Sequence, residues 1–227
     1  MKKRVFYTEL SYLLGMVILA FAAAMMTRAD FGLSMVVAPA YLLHLKVSEL
    51  LPFFSFGMAE YTLQAVLLIV LCLAVRRFRL SYLFSFVTAV LYGFVLDGLL
   101  WLLSFIPMDS IALRFAFYVV GMVLCALGVS LFFHTYISPE VYELFVKEVS
   151  GKFKVDIHKV KTVYDCISCL AAVIMSFAFF GMWQFEGVNW GTIVCALVNG
   201  WLIGQVTKLL EKHFDFRDAM KWKRYFE

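Results

Sequence analysis

Residues 80–105, LSYLFSFVTAVLYGFVLDGLLWLLSF, contain one charged side chain, Asp97. As an α-helix rising about 1.5 Å per residue, this run exceeds the ~30 Å hydrocarbon core of a bilayer. Five further runs approach or reach the same length, at 9–27, 58–75, 113–134, 162–183 and 188–210. Over the 227 residues, 63% are apolar and 16% charged, against about 45–50% and 25% in an ordinary soluble domain. A soluble chain of this size has too little interior to hide that much apolar surface. The sequence therefore specifies an all-α integral membrane protein with six transmembrane helices. It excludes a soluble enzyme, a secreted disulfide scaffold and a disordered chain. The first run ends in Ala22-Ala23-Ala24 after Lys2, Lys3 and Arg4, as a signal peptide can. Its length and the five runs after it favour a retained helix.

Orientation follows from lysine and arginine. The N-terminus, the 76–79 turn, the 135–161 connection and the tail from 208 together hold seventeen of the 20, and Arg28, Lys46 and Arg114 are the others. Both termini are thus expected in the cytoplasm and the chain in the cell membrane. The charges sit in short blocks between apolar runs, so the net charge of +4 is no nucleic-acid signal. The tail from Phe214 to Phe226 alternates charge and aromatics, which suits either a surface helix on anionic headgroups or a solvated tail. Trp101, Trp183 and Trp190 fall where interfacial anchors belong.

Two connections, 28–57 and 135–161, are each roughly 30 residues long, where structureless loops are uncommon. In the inner one, Ser138 reads as an N-cap, Pro139 as the first helical residue and Ser150-Gly151 as the end. Asp156 can cap the following helix. The outer connection is too short to span and suits a re-entrant or interfacial segment.

These lengths point to an internal duplication. A shift of 106 pairs Tyr12 with Tyr118, Gly15 with Gly121, Met16 with Met122, Ala20 with Ala126 and Arg28 with His134. Gly93 meets Gly200 at a shift of 107, and Tyr61 meets Tyr164 after a small gap. Residues 1–108 and 109–211 would then be two three-helix units, with 212–227 a cytoplasmic tail. Three helices is an odd number, so the units would lie inverted in the membrane. That architecture recurs in secondary transporters, with the substrate site between the repeats.

Several segments carry a resemblance to a known family. Phe31-Gly32-Leu33-Ser34 follows the first helix, and Phe56-Gly57 opens the second. Tyr92-Gly93-Phe94-Val95-Leu96-Asp97 lies in the third, Val160-Lys161 and Tyr164-Asp165 enter the fifth, and Gly187-Val188-Asn189-Trp190-Gly191-Thr192 precedes the last. Together they resemble the YitT/YczE-type family of small bacterial integral membrane proteins over nearly the whole chain. Met35-Val36 stands where a Pro-Trp pair is common in that family. The resemblance implies a membrane transport or export role with no defined substrate.

A charge held at mid-bilayer costs at least ~2.5–3.5 kcal/mol, so intramembrane polar residues are candidates for function. Asp97, Asn199 and Tyr92 are expected to line a central cavity between the repeats, with Glu60 and Asp165, beside Tyr61 and Tyr164, towards its two ends. Asp97 alternatively serves as a hydrogen-bonded acid between helices, and Glu60 and Asp165 as acids favouring a helix dipole. Arg28 and His134 end pseudo-equivalent helices and, with Gln205, are gating or proton-relay candidates. Acids outnumber bases, which favours a cationic or zwitterionic solute or a proton.

Cys166-x-x-Cys169 lies within a membrane helix with no second pair and reads as packing. No nucleophile–base set, phosphate loop or metal-ligand constellation appears, so no enzyme activity, cofactor or metal is expected. Three functions fit: a transporter or exporter of a small organic solute, with proton coupling open; the substrate-binding subunit of a vitamin-type uptake complex; or a non-transporting accessory or sensor protein. Besides lipid and a small-molecule substrate, a partner membrane protein or a second copy is conceivable. Ala20-x-x-x-Ala24 would be the docking face in the uptake complex.

Overall fold

The computed structural model describes residues 3–181 and 189–220. Strand β1 (Arg4–Tyr7) leads into α1 (Thr8–Ala29), followed by the short α2 (Ala38–Ser48), α3 (Phe56–Val75) and α4 (Ser81–Ser104). The same long–short–long–long order then recurs as α5 (Ile111–Phe133), α6 (Val141–Phe153), α7 (Ile157–Phe180) and α8 (Trp190–His213), before β2 (Phe214–Arg217). Six of these helices are long and apolar enough to cross a membrane. The protein is an all-helical, multi-pass membrane protein.

Local chemistry sets the ends. Ser55 caps α3 by accepting from Met58 N, and Asp156 caps α7 by accepting from His158 N and Lys159 N. Asp30, Arg76 and Lys154 adopt left-handed φ values of 56°, 53° and 55° and terminate α1, α3 and α6. Outside the bundle, Leu73, Phe94, Trp101, Leu170, Leu197 and Trp201 stand exposed, as lipid-facing side chains must.

Helices α1 and α5 form the centre. Their contact is made by small residues, which let membrane helices approach closely. A Cβ on Gly15 would lie 3.2 Å from Gly128 O, and one on Gly121 would lie 3.1 Å from Ala22 O. The shift of 106 read from the sequence converts the first pair into the second. The outer contacts recur in the same way: α4 lies on α1 as α8 lies on α5, α3 on α4 as α7 on α8, and α6 on α3 as α2 on α7.

The two short helices run along half of a long one. Gln64 of α3 meets the start of α6, while Lys152 near its end donates to Ala74 O at the end of α3, 2.9 Å away. The ten residues from Gln64 to Ala74 span about 15 Å, half the length of α3. In the other pair, Lys46 near the end of α2 lies over the ring of Phe180, the last residue of α7, 5.9 Å from its centroid.

Several expectations change. The inner short helix starts at Val141 after Glu140 and ends at Phe153, not at the Ser138-Pro139 and Ser150-Gly151 boundaries. Ser138 donates instead to Ser81 O, 2.9 Å away, tying the α5–α6 connection to α4. The tail begins as a strand rather than a surface helix. β2 pairs in parallel with β1, from Arg4↔Phe214 to Tyr7↔Arg217, so the segment before α1 lies beside the segment after α8. Ala20 and Ala24 are fully buried and offer no docking face. Gly200 packs against Thr162 inside the chain. Trp183, Gly187, Val188 and the tail from Lys221 lie outside the described residues.

Gly57 and Gly93 let α3 and α4 touch through their backbones, and a Cβ on Gly57 would collide with Gly93 O and lie 2.6 Å from Asp97 Oδ2. Gly57→Ala should therefore cost about 1–3 kcal/mol, read as earlier thermal unfolding in detergent. Gly98→Ala, where a Cβ meets nothing within 4 Å, should unfold no earlier than the parent chain.

Candidate functional site

A helix that begins inside an apolar layer leaves its first N–H groups without water. At α2 the backbone supplies the answer, because Ser34 O accepts from Val37 N and Ala38 N, each at 2.9 Å. At α6 a side chain does so. Gln64 Oε1 accepts from Val141 N at 3.0 Å, and Gln64 Nε2 donates to Glu140 Oε2 at 2.9 Å.

The two helix starts face one small cavity. The first half of the chain lines it with Leu19, Ser34, Val36, Val37 and Tyr92. The second contributes Glu140, Tyr142, Glu143, Lys161 and Asn199, backed by Cys125 and Val129. About 20 Å³ is reachable by the centre of a water-sized particle, room for a water molecule. Tyr92 OH, Asn199 Oδ1, Glu140 Oε1 and Glu143 Oε2 are buried without a hydrogen-bond partner.

Charge is concentrated around this space. Lys161 is 1% exposed and lies 3.0 Å from Asp165 Oδ1 and 3.7 Å from Glu143 Oε1. Glu60 is fully buried and accepts from Tyr142 OH at 2.9 Å, with Oε1 unpartnered. Four carboxyl groups, Glu60, Glu140, Glu143 and Asp165, thus share the buried region with Lys161. Burial, reinforced by the neighbouring Glu143 and Glu60, raises Glu140 well above the ordinary carboxyl range. Burial raises Glu143 too, against the opposing pull of Lys161. Lys147, also on α6, is pushed down to about 8 by burial and spends its protons on Phe132 O and Thr135 O, at 3.0 and 3.2 Å.

The expected site residues therefore separate. Asn199 and Tyr92 line the cavity, while Glu60 and Asp165 adjoin it through Tyr142 and Lys161. Asp97 does not reach it. It accepts from Ser55 Oγ at 2.6 Å and from Gly57 N at 2.9 Å, joining α4 to the first turn of α3. Gln205 is exposed and Tyr61 half-buried, neither against the cavity. Tyr164 lies beside Lys161, whose Nζ is 5.6 Å from its ring, and lines an apolar groove on α6 and α7. Arg28 donates to Ile106 O at 2.7 Å, and among the described residues it makes no ion pair with a carboxylate. His134 stacks on Phe216 with centroids 4.1 Å apart and lies 3.3 Å from Glu211, beside the strand pair.

A family of unknown function, DUF6198, matches residues 6–208. The chain belongs to that family. No curated protein and no solved structure matches it. The match takes in both short helices and the six long ones, α8 as far as residue 208, so the cavity lies wholly within the family's shared region.

Sequence reasoning missed Gln64, Glu140, Tyr142, Glu143 and Lys161. A signal was available in Lys161-x-x-x-Asp165, an ion pair at helical spacing entering an apolar run. Removing one member of a buried pair leaves an uncompensated charge, worth about 3–5 kcal/mol. Lys161→Met should lose stability on that scale in chemical denaturation, and Lys161→Met/Asp165→Asn should regain more than half of it.

Proposed function

We propose that the protein moves a small cationic or zwitterionic solute across the cell membrane in exchange for protons. The observation that carries this reading is the cavity where the N-termini of α2 and α6 meet. It draws its walls from both halves of the chain and holds carboxyl groups in excess of its one lysine. Helix N-termini favour a solute's anionic group, and the surplus carboxyls favour its cationic group or a proton. The likeness to the YitT/YczE-type family points the same way. The function is thus passage of an unmodified solute, with no bond made or broken.

The residue pairs Gly15–Gly128 and Ala22–Gly121, with the repeated order of contacts, support two inverted units about a pseudo-two-fold axis. The basic residues support cytoplasmic termini. A single cysteine at Arg77 should then label from the same membrane side as either terminus, and one at Leu50 from the other side. Labelling of both from one side would exclude the inverted arrangement.

Transport itself is tested in proteoliposomes with labelled ethylammonium, guanidinium and glycine betaine under an imposed pH gradient. Saturable flux of at least one probe is expected, driven by an opposing proton gradient. Glu140→Gln should lower it at least tenfold, whereas Asp97→Asn should keep it within twofold. Absence of flux for all three, or indifference to Glu140→Gln, would overturn the reading.

A further inference from the structure

Away from the central cavity, a larger opening of about 480 Å³ lies between the end of α3, the α3–α4 turn and one face of α6. Val75 and Gly151 border it with little bulk, and a Cβ at Gly151 would meet nothing within 4 Å. Arg77, Arg79, Lys147 and Lys152 surround it, against a single carboxylate, Glu148. Two of these cations are held in place by the fold. Lys152 Nζ donates to Ala74 O at 2.9 Å, and Lys147 Nζ donates to Phe132 O and Thr135 O. These acceptors lie at the ends of α3 and α5, where helix carbonyls carry partial negative charge. They orient the ammonium groups without neutralising them. Arg79 lies 3.6 Å from Glu148, a loose contact. Arg77 has no hydrogen-bond or ion-pair partner among the described residues.

Four cations around one carboxylate leave the opening with surplus positive charge, which a bound anion would offset. The opening sits at the last turn of α3, a helix long and apolar enough to cross a membrane, and the end of such a helix comes to the level of lipid headgroups. Multiple N–H donors around an anion match phosphate oxygens, and the Val75 side leaves room for an apolar or ester portion. We propose that this opening is a binding site for a phosphate-bearing anion, carried by a phospholipid headgroup or free in solution. It is built by Arg77, Arg79, Lys147 and Lys152. The proposal is independent of what the central cavity carries.

Two arms test it on the full-length protein. In the first, nanodiscs containing phosphatidylglycerol and phosphatidylcholine are exchanged into detergent, and retained lipid is counted by native mass spectrometry. In the second, inorganic phosphate is titrated against chloride at equal ionic strength, with thermal unfolding as the readout. At least tenfold preference for phosphatidylglycerol assigns the site to a lipid headgroup, and stabilisation by phosphate alone assigns it to a free anion. In either case Arg77→Gln/Arg79→Gln/Lys152→Gln should weaken binding at least tenfold. Arg77→Gln, which breaks no contact, should weaken it at least threefold in a chain that unfolds at the parent temperature. Lys159→Gln/Lys208→Gln should leave it within twofold. Binding in neither arm, or an equal loss in the Lys159/Lys208 variant, would overturn the proposal.

Discussion

Two helices of this protein, α2 and α6, begin at buried residues, and a buried N–H without a partner costs several kcal/mol in apolar surroundings. Much of the interior answers that constraint. Ser34 closes the start of α2 through its own carbonyl. Gln64 closes the start of α6 from another helix, and its amide nitrogen simultaneously holds Glu140. Gln64 is therefore committed at both ends, which fixes the height of α6 along α3. That height places Tyr142 on Glu60 and Glu143 near Lys161. The charged cluster is thus positioned by the same contacts that allow a half-length helix to exist.

The long helices were legible because crossing a bilayer demands long apolar runs, and few other architectures do. The short helices were legible as length, since about 30 residues seldom remain structureless. Their polar partners were not. Lys161 was assigned to a solvated connection because counting basic residues treats each one as facing water. Yet the helix it belongs to starts at Ile157, one residue after its Asp156 cap. Once inside that helix, Lys161 has Asp165 one turn on. Asp97 misled in the opposite sense. Its depth in an apolar run suggested a central role, whereas the Gly57–Gly93 contact brings the first turn of α3 onto it. Only the way α3 and α4 meet reveals that Ser55 Oγ and Gly57 N are its partners. The β1–β2 pair spans four residues on each strand, too few for alternation to register, and its partners lie at opposite ends of the chain.

Small residues explain how so compact a centre coexists with a polar site. At Gly15, Ala22, Gly121 and Gly128 the backbones of α1 and α5 approach closely, and apolar residues such as Met16, Leu19 and Phe132 seal the surroundings. Leu19 and Val129, from the same two helices, form part of the cavity wall. Rigid helix contacts therefore adjoin a space bordered on its other sides by half-helices. Half-helices are held by fewer turns, so they are the elements whose displacement disturbs the least packing.

Electrostatics gives that displacement a direction. Around the cavity, Lys161 balances one carboxylate, and Asp165 at 3.0 Å is its nearest partner. Any further ionised carboxyl in the cluster would stand unbalanced in a low-dielectric interior, a cost relieved by a proton or by a cation. Glu140, raised well above the ordinary range by burial and by Glu143 and Glu60, is a group for which protonation relieves that cost. A cationic group entering the cavity would stabilise ionised Glu140 and expel its proton. The converse also holds, because protonation of Glu140 weakens the hold on the cation. On the proposed reading, proton and cation binding would be reciprocally coupled at one carboxyl group. Exchange of one for the other needs no change in the net charge of the closed cavity, which is the physical condition for a half-helix to move with either occupant bound.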